Sequence, residues 1–254
     1  MLDAIGAAFV TGGARLLDVH SDPHHHRSVF TLAGEPGRLH EALLEGAREA
    51  VARIDLTAHE GLHPRVGVLD VAPVVHRTDE ERGAATAEAL LLAHRLGRDL
   101  GLPVYLYGTL AGGRTRATLR APGALVGLAP DYGPPRLHPT AGATLVAARP
   151  PLVAFNVEIE GSLDDARRIA AAIREGGPEG LPGVRALGLQ LGELVQVSTN
   201  IEDHTRVTAA DVVAAVARDT PVARAELVGL APAVALEGLT VPLRNRRTLE
   251  DHLD

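Results

Sequence analysis

The sequence predicts an α+β chain made of two units in series. Three observations predict it. From residue 152 to residue 230 the apolar periodicities run strand, helix, strand, strand, helix, strand, the βαββαβ order of a split-βαβ or ferredoxin-like unit. Residues 1–148 give nearly the same order but enter it at a helix, as α, β, β, α, β, α, β. The chain has 254 residues, 46% of them hydrophobic, enough to fill one large core or two small ones. The expected units are therefore 1–148 and 149–254. A ferredoxin-like first unit would need a strand ahead of residue 1. That strand is central in this topology, so the first unit is expected either to lack it or to rearrange its sheet.

Leu2, Ile5 and Phe9 fall on one face of a helix over residues 1–10, ended by Gly12 and Gly13. Residues 15–20 and 28–32 read as strands around the turn Ser21, Asp22, Pro23, His24, His25, His26 and Arg27. Pro36 opens a helix to about residue 54. A loop over 55–66 leads to a strand beginning near Gly67, then an amphipathic helix over 79–100 ended by Gly101, and a short strand over 103–107. Residues 108–130 are rich in Gly, Arg and Pro and read as a lobe anchored by Leu119, Leu125, Val126 and Leu128. A strand over 143–148 follows the turn Asp131, Tyr132, Gly133, Pro134, Pro135.

In the second half a strand over 152–159 leads to a helix over 163–174, capped by Ser162 with Asp164 and Asp165 in its first turn. Strands 184–191 and 194–201 flank a tight turn at Gly192 and Glu193. Thr208 with Asp211 opens a helix to about residue 218, and 223–230 holds the last strand.

Composition excludes several chemistries. There is no cysteine, hence no disulfide and no thiolate nucleophile. All 25 basic residues are arginine, so Schiff-base chemistry on a lysine is excluded and each fixed cation is a planar fork suited to carboxylates. A net charge of −7 argues against nucleic acid as a partner. No apolar run is long enough to span a membrane and residues 1–5 carry no basic leader. The chain is expected in the cytoplasm, away from membranes.

The densest chemistry lies between Asp55 and Asp70, where His59, Glu60, His63 and Arg65 share a loop with Gly61, Pro64 and Gly67. An imidazole there can accept one proton and return it. Arg65, two residues on, can bind a carboxylate. Asp55 and Asp70 can orient a histidine. The alternation Asp18, His20, Asp22 with His24, His25 and His26 invites a metal reading, but adjacent histidines on a Pro-led turn cannot all point inward, and a solvated turn is expected, with no metal. There is no phosphate loop and no nucleophile elbow.

The run His59-Glu60-Gly61-Leu62-His63-Pro64-Arg65-Val66-Gly67-Val68-Leu69-Asp70-Val71 resembles the signature His-Lys-Gly-Glu-His-Pro-Arg-x-Gly-x-x-Asp-Val of the glutamate formimidoyltransferases. Leu17-Asp18-Val19, the run Arg27 to Leu32, Pro103 to Tyr107, Pro130 to Pro134, Ala141 to Thr144, Ala154 to Val157, Gln196 to Asn200 and Glu226 to Leu230 agree in order. The resemblance covers roughly residues 2–250 and is specific as a combination. It implies two ferredoxin-like α/β-sandwich subdomains with a ligand groove between them. It implies transfer of a formimino group from N-formimino-L-glutamate to tetrahydrofolate, a co-substrate, in histidine breakdown and one-carbon metabolism. The family's catalytic histidine falls on His63. Its folate-contacting turn falls on Gly133, Pro134, Pro135, Arg136, Leu137, His138, Pro139, Thr140, Ala141 and Gly142, and a second contact on Gly183 and Val184.

Beside the resemblance, Arg27, Arg65 and Arg149 are candidates for substrate carboxylates, and Asp18, His59 and Asp70 for orienting groups. A homodimer is a further expectation. The departures are local. The family's usual Asn before Arg27 is His26, and its usual Lys and Glu around Gly61 are Glu60 and Leu62. The flap near residues 120–127 is shortened. No strand of the Glu-Cys-Val-Pro-Asn-Phe-Ser-Glu-Gly kind opens the chain, and no linker and helical bundle follow. The chain is thus expected to resemble the stand-alone transferase without a cyclodeaminase domain. Two other readings stay open on these residues: a folate-dependent formyl or other one-carbon transferase, and a folate-binding protein without turnover.

Overall fold

A computed structural model describes residues 1–23, 25–61 and 64–253. It is a mixed α+β chain whose contacts fall into two compact units. One is Met1–Leu17 with Ser21–Arg149, the other Asp18–His20 with Pro150–Asp254.

The first unit opens with α1 (Leu2–Thr11), β1 (Arg15–Asp22, whose residues 18–20 group with the second unit), β2 (Arg27–Ala33) and α2 (Leu39–Arg53). Ile5 and Phe9 are buried, as the helical spacing predicts, and Phe9 meets Phe30 at 5.5 Å between ring centroids. α1 packs tightly on α2: a Cβ on Gly46 would lie 2.1 Å from the Phe9 ring. Pro36 does not open the helix. Gly37 has a φ of 86°, and the helix starts at Leu39, where buried Glu88 accepts from the Gly37 N–H and from the His40 N–H at 2.8 Å. Glu88 thereby satisfies donors that a helix start leaves open.

β3 (Val71–Val75), α3 (Arg82–Leu100), β4 (Val104–Leu106), α4 (Arg116–Arg120) and β5 (Thr144–Arg149) complete the unit. Gly101, in the left-handed region at φ 64°, ends α3 as predicted. β5 lies between β3 and β4 and runs parallel to both, with Val71 opposite Leu145 and Val104 opposite Thr144. β1 and β2 form a separate two-stranded sheet. Among the described residues the first half therefore does not make one antiparallel βαββαβ sheet. The reason is the α3 crossover, which returns the chain in the same direction. Parallel strands need cover on both faces, and β5 is buried almost throughout. Leu44, Leu92 and Leu96 cover one face; Leu119, with Leu125 and Leu128, covers the other. Val126, expected as a further anchor, is 86% exposed and holds nothing down.

The second unit contains β6 (Val153–Ile159), α5 (Leu163–Ile173), β7 (Val184–Leu191), β8 (Leu194–Ile201), α6 (Ala209–Ala217), β9 (Val222–Val228), a two-residue β10 (Leu243–Arg244) and a terminal α7 (Glu250–Leu253). Its order is β10-β9-β6-β8-β7. β6 is antiparallel to β8 and β9, and β7 to β8. The βαββαβ succession is the one predicted. Phe155, Val157, Val197 and Leu227 turn one sheet face toward Ile169, Ile173, Val212 and Val216, all fully buried. Ser162 with Asp165 and Thr208 with Asp211 form the capping boxes of α5 and α6, each cap contributing about 1 kcal/mol. Among the described residues no helix is long and apolar enough to cross a membrane.

Candidate active-site loop

The loop between α2 and β3 is built by its own side chains. Asp55 caps a 3₁₀ turn at Leu56–Ala58, accepting from the Thr57 N–H at 2.9 Å and the Thr57 hydroxyl at 2.6 Å. Those bonds hold its carboxyl below the usual carboxylate range. Asp70 turns back to accept the Val66 N–H at 2.7 Å and pairs with Arg120 of α4. Among the described residues Asp55 and Asp70, expected to orient a histidine, bond to the loop backbone, a threonine and an arginine. Arg65 donates to the His59 carbonyl at 2.7 Å and to the Gly61 carbonyl at 3.0 Å. His63, the residue expected to move the proton, and its neighbour Leu62 lie outside the described residues, as does His24.

Gly67 explains why the strand starts later than its apolar run suggests. It bridges Gly142, and a Cβ on Gly67 would lie 1.8 Å from the Ala143 carbonyl oxygen. The Val68 N–H donates to Ala141 at 2.9 Å, the Ala143 N–H to Val66 at 2.9 Å and the Leu56 N–H to Thr140 at 2.7 Å. The turn expected to contact folate is therefore stitched to the loop that contains residue 63. Its end is a tight hairpin in which His138 and Gly142 exchange two backbone bonds of 2.9 Å. The Ala141 N–H donates to His138 Nδ1 at 3.0 Å, so the proton of that ring sits on Nε2. Gly133, at φ 85°, passes so close to Leu102 that a Cβ would lie 2.2 Å from its carbonyl oxygen.

Arg27 opens β2 in the same unit. Burial lowers its pKa most, Arg120 and Arg116 lower it further, and Asp70 and Asp22 raise it. Arg149 ends β5, its carbonyl accepting the His76 N–H at 3.1 Å. Asp18, grouped with the second unit, is buried and pairs with Arg247. Gly183 and Val184 also belong to the second unit. The Gly183 N–H donates to Glu175 at 3.0 Å, and Val184 is fully buried opposite Ile201.

Sequence reasoning missed two participants. Arg120 sits in the segment read as an irregular lobe, yet a Thr115–Thr118 capping box folds it into α4 and brings it to Asp70. In the histidine turn, expected to be solvated, His25 is buried with its Nδ1 2.6 Å from Asp22, and His26 is exposed but stacks its ring on His59. The one signal available was the change from the family's usual Asn at position 26. Among the described residues no three acidic or histidine side chains are arranged to hold a metal ion.

Residues 1–149 match the family model of the formiminotransferase domain, N-terminal subdomain, and residues 154–240 that of the formiminotransferase domain. A formimidoyltransferase-cyclodeaminase of Mus musculus is 39% identical over 265 residues, which cover 93% of this chain and 48% of that protein. The chain thus spans about half the length of the first of its curated relatives, those of mouse, rat and pig, each covered over 48%. A glutamate formimidoyltransferase of Streptococcus pyogenes serotype M1 is 37% identical, with 88% of this chain and 81% of that protein covered. The glutamate formimidoyltransferase of Thermoplasma acidophilum is 34% identical, with 85% and 72% covered. With both subdomain models matched in order and the signature loop folded against the turn at 138–142, the chain belongs to the formiminotransferase family.

Proposed function

We propose that this chain is a glutamate formimidoyltransferase, moving the formimino group of N-formimino-L-glutamate to tetrahydrofolate in histidine breakdown. The observation that carries the reading is the stitching of the 138–142 turn to the loop over 55–70, within a chain that matches both formiminotransferase subdomain models. The folate amine attacks the formimino carbon and a tetrahedral centre forms. A base must take the amine proton and an acid must protonate the departing glutamate nitrogen. We assign both tasks to His63, a role worth about 10²–10⁴ in rate. Folate sits on residues 133–142, tetrahydrofolate is the co-substrate, and no metal is expected.

We assign Arg27 and Arg149 to carboxylates of the two substrates, each being a planar cation suited to them. Arg65, already bonded to two loop carbonyls, shapes the loop, and Asp70 holds Arg120 in place. We place the subdomains at 1–148 and 149–254. The second is ferredoxin-like, supported by its βαββαβ order. The enzyme works in the cytoplasm, as a homodimer. Release of glutamate from N-formimino-L-glutamate, with and without tetrahydrofolate, tests the reading. Turnover on a formyl donor alone, or tight folate binding without turnover, would replace it by another one-carbon transferase or by a binding protein.

A further inference from the structure

Two turns 33 residues apart in sequence grip each other by their histidines. His26 has a φ of 49°, the left-handed region that L side chains rarely occupy and that Asn, Asp and His tolerate best. Such a conformation persists only where surrounding contacts hold it, and it clusters at functional sites. Here the contacts are explicit. The His26 Nδ1 lies 2.5 Å from the Glu60 carbonyl oxygen, and the His59 Nε2 lies 3.0 Å from the His26 carbonyl oxygen. A carbonyl only accepts, so each ring donates to the backbone of the other turn. The rings stack with centroids 4.2 Å apart and planes 21° apart. Gly61 fills the remaining space, since a Cβ there would lie 2.9 Å from the His25 carbonyl oxygen and 3.0 Å from the His26 Cβ. Asp22 fixes the far turn, accepting from the His25 N–H at 3.0 Å. Arg65 holds the carbonyls of His59 and Gly61 on the near one.

We propose that His26 is a positioning residue, which with His59 forms a reciprocal clamp on residues 59–61 and so fixes the backbone that flanks residue 63. The proposal rests on the formimidoyltransferase reading above. Asn tolerates the same backbone region and its amide can donate to the Glu60 carbonyl, but it cannot stack on an imidazole, so it separates the hydrogen bond from the stacking.

The test uses the full chain as wild type, His26→Ala and His26→Asn. Tetrahydrofolate-dependent glutamate release gives kcat and KM, and ¹⁵N NMR of the imidazoles gives the ring tautomers. The expected result is a kcat about 10- to 100-fold lower for His26→Ala, the scale of a small misplacement at a reacting centre. KM for tetrahydrofolate stays within about twofold. His26→Asn recovers most of the loss. In the wild type the His26 proton is on Nδ1 and the His59 proton on Nε2. An active wild type with unchanged kcat in His26→Ala, or with His26→Asn no better than His26→Ala, overturns the clamp. An inactive wild type overturns the functional reading alone. The clamp is then decided by the tautomers: a proton on Nδ1 of His26 and Nε2 of His59 supports it, and any other arrangement overturns it.

Discussion

Arg65 reaches back along its own loop to donate to His59, with 2.7 Å between its guanidinium nitrogen and the His59 carbonyl oxygen. A second nitrogen serves Gly61. Two carbonyls of a tight loop are thereby satisfied by one planar fork. Replacing Arg65 by Gln should cost about 2 kcal/mol of stability, as hydrogen bonds to a charged group are lost. It should lower kcat while leaving KM for the donor nearly unchanged. A donor KM that rises more than kcat falls would return Arg65 to substrate binding.

Gly67 and Gly142 form the seam between the loop and the 138–142 turn. A methyl group on Gly67 would overlap the Ala143 carbonyl, and one on Gly142 would lie 2.3 Å from the Val66 carbonyl oxygen. Backbone on both sides leaves no flexible group to move aside. Gly67→Ala should destabilise the chain by more than about 3 kcal/mol, the range of severe strain or overpacking. Thermal unfolding reads the effect. A variant melting within a few degrees of the wild type would show that the seam can open.

How much of this was legible in the sequence depends on how local its cause is. Strands 184–191 and 194–201 were, because their turn is carried by Gly192 at φ 63° and their alternation faces a single core. The caps at Ser162 and Thr208 were, because their partners lie three residues on. The start of α2 was not, because Glu88, about 50 residues away, decides it through its bond to Gly37. The parallel pairing of β3, β4 and β5 is set by a crossover rather than by periodicity. In the site, the signature loop announced itself through its histidines, glycines and proline. Neither the docking of His26 on His59 nor the arrival of Arg120 at Asp70 leaves a mark in spacing, since each joins distant segments.

The Asp70–Arg120 pair is mostly shielded, with 19% and 16% of the two side chains exposed. Removing the carboxylate leaves Arg120 beside Arg27 without its counter-charge. Asp70→Asn should therefore cost more stability than Asp70→Asn combined with Arg120→Gln, with a coupling energy of about 1–3 kcal/mol. Additive single and double variants would mean that the pair contributes nothing beyond its backbone bond to Val66.

Acid should act through the α5 cap. Asp165 is held below the usual carboxylate range chiefly by the Ser162 hydroxyl, then by the Ser162 N–H, with Arg168 adding to it. A carboxyl whose folded pKa lies below its unfolded value of about 3.9 stabilises the fold above that pH and loses the contribution as pH falls through the folded pKa. The stability gap between wild type and Asp165→Asn should be full near pH 6 and close as pH falls below about 4. A gap that does not change with pH would remove charge from the explanation.

Glutamate release from N-formimino-L-glutamate, followed with and without tetrahydrofolate in wild type and His63→Ala, tests the central claim most directly. The expected result is release by the wild type only when tetrahydrofolate is present. In His63→Ala folate still binds and turnover falls by about 10²–10⁴. Release that ignores tetrahydrofolate, or full turnover in His63→Ala, would contradict it.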